Sequence, residues 1–329
     1  EVPPECLILT MKANQKYFPL LDSVGKLTNK FLIVSNITPA DSSAVIQGNE
    51  RVVRARLADA KFFFDKDRKR TLASRVTDLD KVVYHNKLGS QGARTQRVRV
   101  IAQAIANQMS DDSLQVIQAD QAAMLAKADL TTDMVGEFPE LQGIMGRYYA
   151  QHEGIDDEVA YAIEDHYKPR FAGDELPHNR VAVYVALADK LETLVGMFGI
   201  GEKPTGDKDP FALRRHALGV IRLLIEKNLG AHLEQLISLA WNAFPVGSLI
   251  QSQTEVVSFI FERIEGYLRD QPYTTNEVNA VLSLRPERIF HIPKLLAAVR
   301  TFTDLPEAES LAAANKRISN ILKKSEGSL

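Results

Sequence analysis

The sequence predicts a mainly helical protein with a small β-containing segment at its N-terminus. Three observations carry this prediction. From Gly48 onward, apolar residues recur with helical spacing almost without interruption. Short apolar runs separated by turn-forming residues occur only between about residues 7 and 36. Residues 179–198 are apolar nearly all round, which indicates a buried central helix. With 329 residues, 45% of them apolar and 25% charged, the chain has room for two domains.

The predicted strands lie in three apolar runs, at residues 7–11, 16–21 and 31–35. Between the last two runs, residues 22–26 include Asp22, Ser23 and Gly25, which favour tight turns. We therefore expect a small sheet or hairpin in this part of the chain.

The first long predicted helix covers residues 48–67. It has one apolar stripe, formed by Val53, Leu57, Ala60 and Phe64. Arg56 lies about 60° from the centre of that stripe, so we expect its guanidinium to find an anion. Two interpretations stay open: a structural pair between Arg56 and Asp59, or a helix that presents Arg51, Arg54, Arg56 and Lys61 to a polyanion.

Further helices follow from the same periodicity. The helix after the glycine-rich loop of residues 199–210 is predicted to have Asp209 as its N-cap and Pro210 at its first position. The other predicted helices cover residues 95–109, 114–128, 156–167, 179–198, 233–242, 254–269, 275–284, 292–302 and 306–322.

Composition limits the classes of function. The 40 basic and 42 acidic residues give a net charge of −2, so any contact with nucleic acid must come from a local basic patch. Arg214 and Arg215 are candidates for phosphate contacts, and a solvated helix face or an intramolecular pairing is the alternative interpretation. The single cysteine, Cys6, excludes an internal disulfide and a cysteine-based zinc site, which suits a cytoplasmic protein. No apolar run is long enough to span a membrane.

Sequence motifs for phosphate or metal binding are weak. Gly201 and Gly206 have the spacing of a phosphate-binding loop, but Asp207 stands where that motif requires lysine, and we reject it. The seven histidines show no metal-ligand spacing. Asp189 is a stronger candidate, because a carboxylate on a nearly all-apolar helix needs a partner and is prone to a perturbed pKa.

Several long segments of the sequence resemble one known family, the β subunit of the bacterial α2β2 glycyl-tRNA synthetase. The resemblance covers essentially the whole chain and rests on strings in the family's order. These are residues 11–18 (MKANQKYF), 48–63 (GNERVVRARLADAKFF), 127–143 (KADLTTDMVGEFPELQG), 188–194 (ADKLETL), 204–206 (PTG) and 209–215 (DPFALRR).

This resemblance implies an enzyme that joins glycine to its tRNA using ATP, with ATP used chiefly at the α subunit and tRNA engaged by the β subunit. The family carries further domains before residue 1 and after residue 329, so the chain is expected to be an internal fragment that binds no cofactor and is inactive alone. The implied domains are a β-rich fragment (1–47), a helical domain like HD phosphohydrolases (48–230), a helical body region (231–305) and the start of an anticodon-binding domain (306–329).

The likeness to HD phosphohydrolases also implies positions for a metal centre. His85 and Asp189 could fill the outer positions of that centre, and Asp129 lies where its His-Asp doublet is expected, but no such doublet occurs near residues 125–129. We therefore expect a fold kept without hydrolase chemistry and without metal. Two alternatives stay open: a metal-dependent nucleotide phosphohydrolase using these residues, and a purely structural bridge to the α subunit.

Overall fold

The computed structural model describes residues 2–325 and is mainly helical, as the sequence predicts. The described residues also form two small antiparallel sheets of two strands each. Contacts divide the chain into two compact units. Unit 1 comprises the residues up to Pro169 together with Asp174–Glu192, and unit 2 comprises Arg170–Gly173 together with the residues from Thr193 onward. The four-part division expected from the family resemblance stays a prediction, and its outermost residues, Glu1 and 326–329, lie outside the described residues.

Unit 1 contains the elements from α1 into α9. They are α1 (Pro4–Gln15), β1 (Phe18–Leu21), β2 (Leu27–Leu32), α2 (Ser43–Asp67), α3 (Leu72–Arg75), β3 (Val83–His85), β4 (Gly89–Ser90), α4 (Gln91–Met109), α5 (Ser113–Leu125), α6 (Asp133–Glu137), α7 (Ile144–His152), α8 (Asp157–Asp165) and the start of α9 (Arg180–Gly199). Short 3-10 turns cover Val76–Lys81, Ala128–Thr131 and Pro139–Leu141.

The prediction of a first strand at residues 7–11 is wrong, because these residues lie within α1. A short apolar run does not distinguish a strand from a buried helix segment. Pro4 at the first helical turn is the signal that favours the helix, since its missing N–H costs nothing there. The hairpin itself is confirmed: β1 pairs with β2, and the backbone N–H of Asp22 bonds to the carbonyl of Lys26 across the turn.

The longest predicted helices are confirmed within a few residues. In α2, Val53, Ala60 and Phe64 are buried as the stripe predicts. The helix starts at Ser43, earlier than the predicted Gly48, and ends as predicted at Asp67, which continues that stripe and is itself buried. In α9 every residue from Val181 to Phe198 is buried, so this is the buried helix that the sequence predicts.

Helices are the main regular elements of the described residues of unit 2, and one isolated antiparallel bridge joins Thr205 and Lys208. After the end of α9 unit 2 contains α10 (Leu213–Glu226), α11 (Leu233–Asn242), α12 (Gln253–Arg269), α13 (Thr275–Leu282), a 3-10 turn (Ile289–His291), α14 (Ile292–Thr303) and α15 (Ala308–Ser325).

The start of α10 departs from its prediction. Asp209 does accept hydrogen bonds from the first helical N–H groups, those of Leu213 at 2.8 Å and Arg214 at 2.9 Å. However, Pro210 lies outside the helix, and Ala212 adopts a left-handed conformation with φ of 54° just before it. Asp209 therefore fixes the first turn of α10 from outside, and with it the positions of Arg214 and Arg215.

Candidate functional site

The two aspartates of the expected vestigial metal centre lie in one buried group of charges in unit 1. We call this group the central charge cluster. It consists of Arg94, Arg97, Lys127, Asp129, His166, Asp189, Lys190 and Glu192, all of them buried. His85, the third expected residue, lies at the end of β3 and is half-buried, and its Nδ1 accepts the backbone N–H of Lys87 at 3.2 Å.

Asp129 is held by backbone donors at the start of α7. Its Oδ2 accepts the N–H groups of Gly143 at 2.6 Å and of Gly146 at 3.1 Å. Gly146 permits this approach because a Cβ there would lie 2.5 Å from a methyl carbon of Ile163 and 3.2 Å from the Asp129 carboxylate. Burial raises the pKa of Asp129 to about 6, although these hydrogen bonds act in the opposite direction.

Asp189 receives two cations. Arg94 approaches its carboxylate to 3.0 Å, and the Lys127 ammonium approaches it to 3.3 Å while lying 3.8 Å above the ring of Tyr167. Burial alone would raise the pKa of Asp189, but the charges of Arg94 and Lys127 hold it below its ordinary value. The prediction that Asp189 needs a partner is thus confirmed. Burial of the Lys127 ammonium lowers its pKa to about 8, although the charge of Asp189 acts in the opposite direction.

Glu192 joins the two arginines of α4. Its two carboxylate oxygens accept the Nε–H groups of Arg94 and Arg97, each at 2.8 Å, and its side chain is completely buried. Arg94 therefore bridges Asp189 and Glu192, and its guanidinium also lies 4.6 Å over the ring of Tyr84. Such closely paired and desolvated groups fix the packing of α4 against the part of α9 that belongs to unit 1.

The remaining members, His166 and Lys190, complete the cluster. The His166 Nδ1 lies 2.6 Å from the carbonyl of Ile163, and its Nε2 is buried with no hydrogen-bond partner among the described residues. Burial lowers the pKa of His166 well below its ordinary value. Lys190 donates to the carbonyls of His166 and Tyr167 at 3.4 and 3.3 Å, and burial lowers its pKa to about 8.

This chemistry differs from that of a metal centre. Within residues 2–325, no three His, Cys, Asp or Glu side chains are grouped so that they could hold a metal ion. Instead, the ammonium of Lys127 lies beside Asp189 and its charge also acts on Asp129. A metal-dependent phosphohydrolase was the alternative for His85, Asp129 and Asp189. In the part of the chain that the structure describes, these residues do not form a set of metal ligands.

The basic residues predicted on α2 do not form one surface. Arg56 is 47% exposed and lies 3.8 Å from Asp59, so the predicted pair exists, but at the surface and not against the core. It lies about 140° around the helix axis from Arg51. Arg51, Arg54 and Lys61 share another face, where Lys61 pairs with Asp65. For Arg51 and Arg54, no ion pair is found with any described residue.

Arg214 and Arg215 lie at a groove in unit 2, which we call the arginine groove. It is lined by α10, by α12 with the two residues that follow it, and by residues 171–173, and it has a volume of about 510 Å³. Arg222 and Arg263 also line it. The Arg214 guanidinium donates to the carbonyl of Gly206, and Arg222 pairs with Glu226 at 2.7 Å. Arg215 is exposed and has no partner among the described residues.

Sequence reasoning missed two features. Asp67 is almost fully buried and accepts from the N–H groups of Asp133 and Met134 and from the hydroxyl of Tyr149, with Arg75 3.3 Å away. Its place on the apolar stripe of α2 was the available signal. The second feature is the α12 side of the arginine groove, where Arg263, Gly266, Tyr267 and Asp270 recur at helical spacing.

None of the described helices is both long and apolar enough to cross a membrane. The fold is that of a mainly helical protein that pairs its buried charges internally and has exposed arginines, among them Arg51, Arg54 and Arg215, with no ion pair among the described residues. The model of the family described as "Glycyl-tRNA synthetase beta subunit" matches residues 1–283, and the chain therefore belongs to this family.

Individual relatives agree with the family. The chain is 70% identical over 327 residues to the glycine–tRNA ligase beta subunit of Thiobacillus denitrificans, covering 99% of the chain and 46% of that protein. It is 68% identical over 329 residues to the corresponding protein of Janthinobacterium sp., covering 100% of the chain and 46% of the relative. The Paracidovorax citrulli protein is 69% identical over 325 residues, with 98% and 46% covered. The chain thus spans about half the length of the curated relatives that it matches.

Proposed function

We propose that this chain is the part of a glycine–tRNA ligase β subunit that engages tRNA and supports assembly with an α subunit. The complete α2β2 enzyme would attach glycine to its tRNA using ATP, chiefly at the α subunit, while this chain binds no cofactor itself. Membership of the family and the names of the relatives support this proposal. The cytoplasmic location predicted from the sequence stays a prediction.

The observation that carries the tRNA proposal is the set of exposed arginines without carboxylate partners. Arg51 and Arg54 on α2 and Arg215 on α10 are exposed, and no ion pair is found for them among the described residues. Arginines of this kind neutralise phosphates and release the counterions that surround nucleic acid. Arg56, Lys61 and Arg214 have partners within the chain and are proposed as secondary contacts.

The test is the salt dependence of binding to glycine tRNA, measured for this chain and for the assembled ligase. We expect the triple variant with Arg51, Arg54 and Lys61 changed to alanine to bind more weakly. Its slope of log affinity against log salt should be shallower by about one unit for each phosphate that the variant no longer neutralises. Arg214→Ala with Arg215→Ala should act in the same direction.

A matched control removes the same charge elsewhere, by changing the exposed residues Lys12, Lys26 and Lys294 to alanine. This control should leave the salt slope unchanged. Equal slopes for wild type and the arginine variants would overturn the assignment of tRNA contacts to these surfaces.

A purely structural bridge to the α subunit is the second candidate. The β1–β2 hairpin favours it, because Phe18, Leu21 and Leu32 are large apolar side chains that are each more than half exposed. A bridge predicts binding to the α subunit with no affinity for RNA. If this chain binds tRNA, and if that affinity falls with rising salt and in the variants that lack the exposed arginines, a structural bridge is excluded as its sole function.

For residues 48–230 we propose an HD-like fold kept without hydrolase chemistry, as the resemblance implies. Support comes from Asp129 and Asp189, which both interact with the Lys127 ammonium. In this proposal a protein cation stands where the family likeness would place a metal.

A further inference from the structure

The arginine groove has features beyond those needed to hold a phosphate backbone. It is concave, and its volume of about 510 Å³ falls within the range of small-molecule sites. Its walls contain the aromatic rings of Tyr267 and Phe171 as well as the four arginines. Phe171 is 55% exposed, an unusual degree for a phenylalanine in a helical unit.

Two of the four arginines are available to a ligand. Arg222 pairs with Glu226, and Arg214 is engaged with the carbonyl of Gly206. Arg215 has no partner among the described residues. Arg263 is 39% exposed; its guanidinium lies 3.9 Å from the carboxylate of Glu262 and 5.8 Å from the centre of the Phe259 ring. Its Nε is buried and has no hydrogen-bond partner among the described residues. A buried N–H without a partner carries a free-energy penalty, and a ligand acceptor that reorients this guanidinium would remove that penalty.

The acidic groups near the groove do not cancel these charges. The Glu226 carboxylate pairs with Arg222 and also accepts a hydrogen bond from the hydroxyl of Tyr267 at 3.2 Å. This hydrogen bond holds the Tyr267 ring at the groove. Asp270 is the acidic residue among those that line the groove, against four guanidinium groups. The chain as a whole carries a net charge of −2, so this concentration of positive charge is local.

Gly266 leaves part of the wall open. It lies on α12 between Arg263 and Tyr267, and a Cβ built there meets no atom within 4 Å. Backbone strain does not explain this glycine, because its φ is not positive. An internal glycine normally lowers the stability of a helix, and no packing contact at this position requires one. The space that Gly266 leaves in the groove wall is therefore the feature that a ligand would use.

We propose that the arginine groove binds one unpaired nucleotide of RNA, with its base on the rings of Tyr267 and Phe171 and its phosphates on Arg215 and Arg263. This inference deepens the proposed function, on which it rests, because it names the part of the tRNA that the groove takes. Base stacking on aromatic side chains combined with arginine contacts is the general chemistry of single-strand recognition. A base-paired helix cannot place a base against a side chain in this way, since its bases are stacked within the duplex.

The experiment fills the groove without removing any charge. Gly266→Phe places a ring in the open wall, and Gly136→Phe is the matched control, because it adds the same ring at an exposed helical glycine of α6 that does not line the groove and where a Cβ also meets no atom within 4 Å. Binding of a short single-stranded oligoribonucleotide, and of a duplex of the same length, is measured for this chain and for the assembled ligase. We expect Gly266→Phe to weaken single-strand binding about 10-fold and Gly136→Phe to leave it unchanged.

A spectroscopic readout tests stacking separately. An oligoribonucleotide carrying 2-aminopurine should lose fluorescence on binding to the wild type, because its base stacks on an aromatic ring. Tyr267→Phe should keep this quenching, and Tyr267→Leu should reduce it. A circular dichroism melt of each variant identifies any that fail to fold, and those that fold carry the test.

The outcomes separate this proposal from the broader one. Gly266→Phe binding RNA as tightly as the wild type, equal preference for duplex and single strand, or equal competition by an acidic peptide would each overturn the groove proposal. If the variant of Arg51, Arg54 and Lys61 still weakened tRNA binding, the proposed function would survive that result. Absence of tRNA binding by the wild type at low salt would overturn both.

Discussion

Arginines perform opposite tasks in the two units of this chain. In unit 1, Arg94 is 8% exposed and contacts two carboxylates, Asp189 at 3.0 Å and Glu192 at 2.8 Å. In unit 2, Arg215 is exposed at the arginine groove and has no partner among the described residues. Burial makes an unpaired charge costly, so the first environment requires a partner from the chain itself. The second leaves the side chain available to a ligand.

The largest effect should come from breaking the buried network at Glu192. Glu192→Gln removes the anion that Arg94 and Arg97 share, and loss of one member of a buried ion pair typically costs about 3–5 kcal/mol. We expect the free energy of unfolding to fall by that amount, measured by urea denaturation. Glu137→Gln, at an exposed position at the end of α6, should change it by less than about 0.5 kcal/mol. Similar values for the two variants would mean that the network does not stabilise unit 1.

The next effect concerns Asp129 and depends on pH. Its pKa rises from 3.8 to about 6 on folding because the carboxyl is buried. Between these values the folded chain keeps a proton that the unfolded chain has released, so this group makes the free energy of unfolding fall as pH rises. The full shift corresponds to about 3 kcal/mol. His166, whose pKa is lowered by burial, gives the opposite slope up to about pH 6.5.

The measurement is therefore the difference in the free energy of unfolding between the wild type and the Asp129→Asn variant, followed across pH. The stability of the wild type relative to Asp129→Asn should decrease between pH 4 and pH 6.5, because His166 contributes equally to both. Asp111→Asn, at an exposed position, is the control and should leave the difference flat. A flat difference for Asp129→Asn as well would show that this carboxyl titrates as it does in the unfolded chain.

The smallest effect on stability is expected at the arginine groove. Arg215→Ala together with Arg263→Ala should change the free energy of unfolding by less than about 0.5 kcal/mol, since exposed charges contribute little. Arg97→Ala in the central charge cluster is the matched comparison, and its cost should be several times larger. Thermal unfolding of the three chains side by side tests this. A large loss of stability in the groove variant would show that Arg215 and Arg263 stabilise the fold.

Much of the fold was predictable from the sequence because apolar spacing determines which face of a helix is buried. The predicted bounds of α11, Leu233–Asn242, agree with the structure, and those of α12 differ by one residue at its start. The strand prediction for residues 7–11 failed because a five-residue apolar run carries no clear period.

The site was predictable only in part. A carboxylate on an apolar helix must have a partner, so the pairing of Asp189 followed from the sequence. The identity of that partner did not, because Arg94 is 95 residues away and the two meet only when α4 packs beside α9. The arginine groove was missed in the same way. Arg215 was a candidate, but nothing local indicates that Tyr267 on α12 lies beside it.

Gly146 also bears on how this protein can vary over generations. Every change of a glycine codon to that of another amino acid adds at least a Cβ, and at position 146 that atom would lie 2.5 Å from Ile163 and close to the carboxylate that the Gly146 N–H holds. Real Cβ atoms essentially never approach a neighbour so closely. Each missense mutation at this codon therefore disturbs the backbone support of Asp129, and selection should remove such alleles whatever the new side chain is.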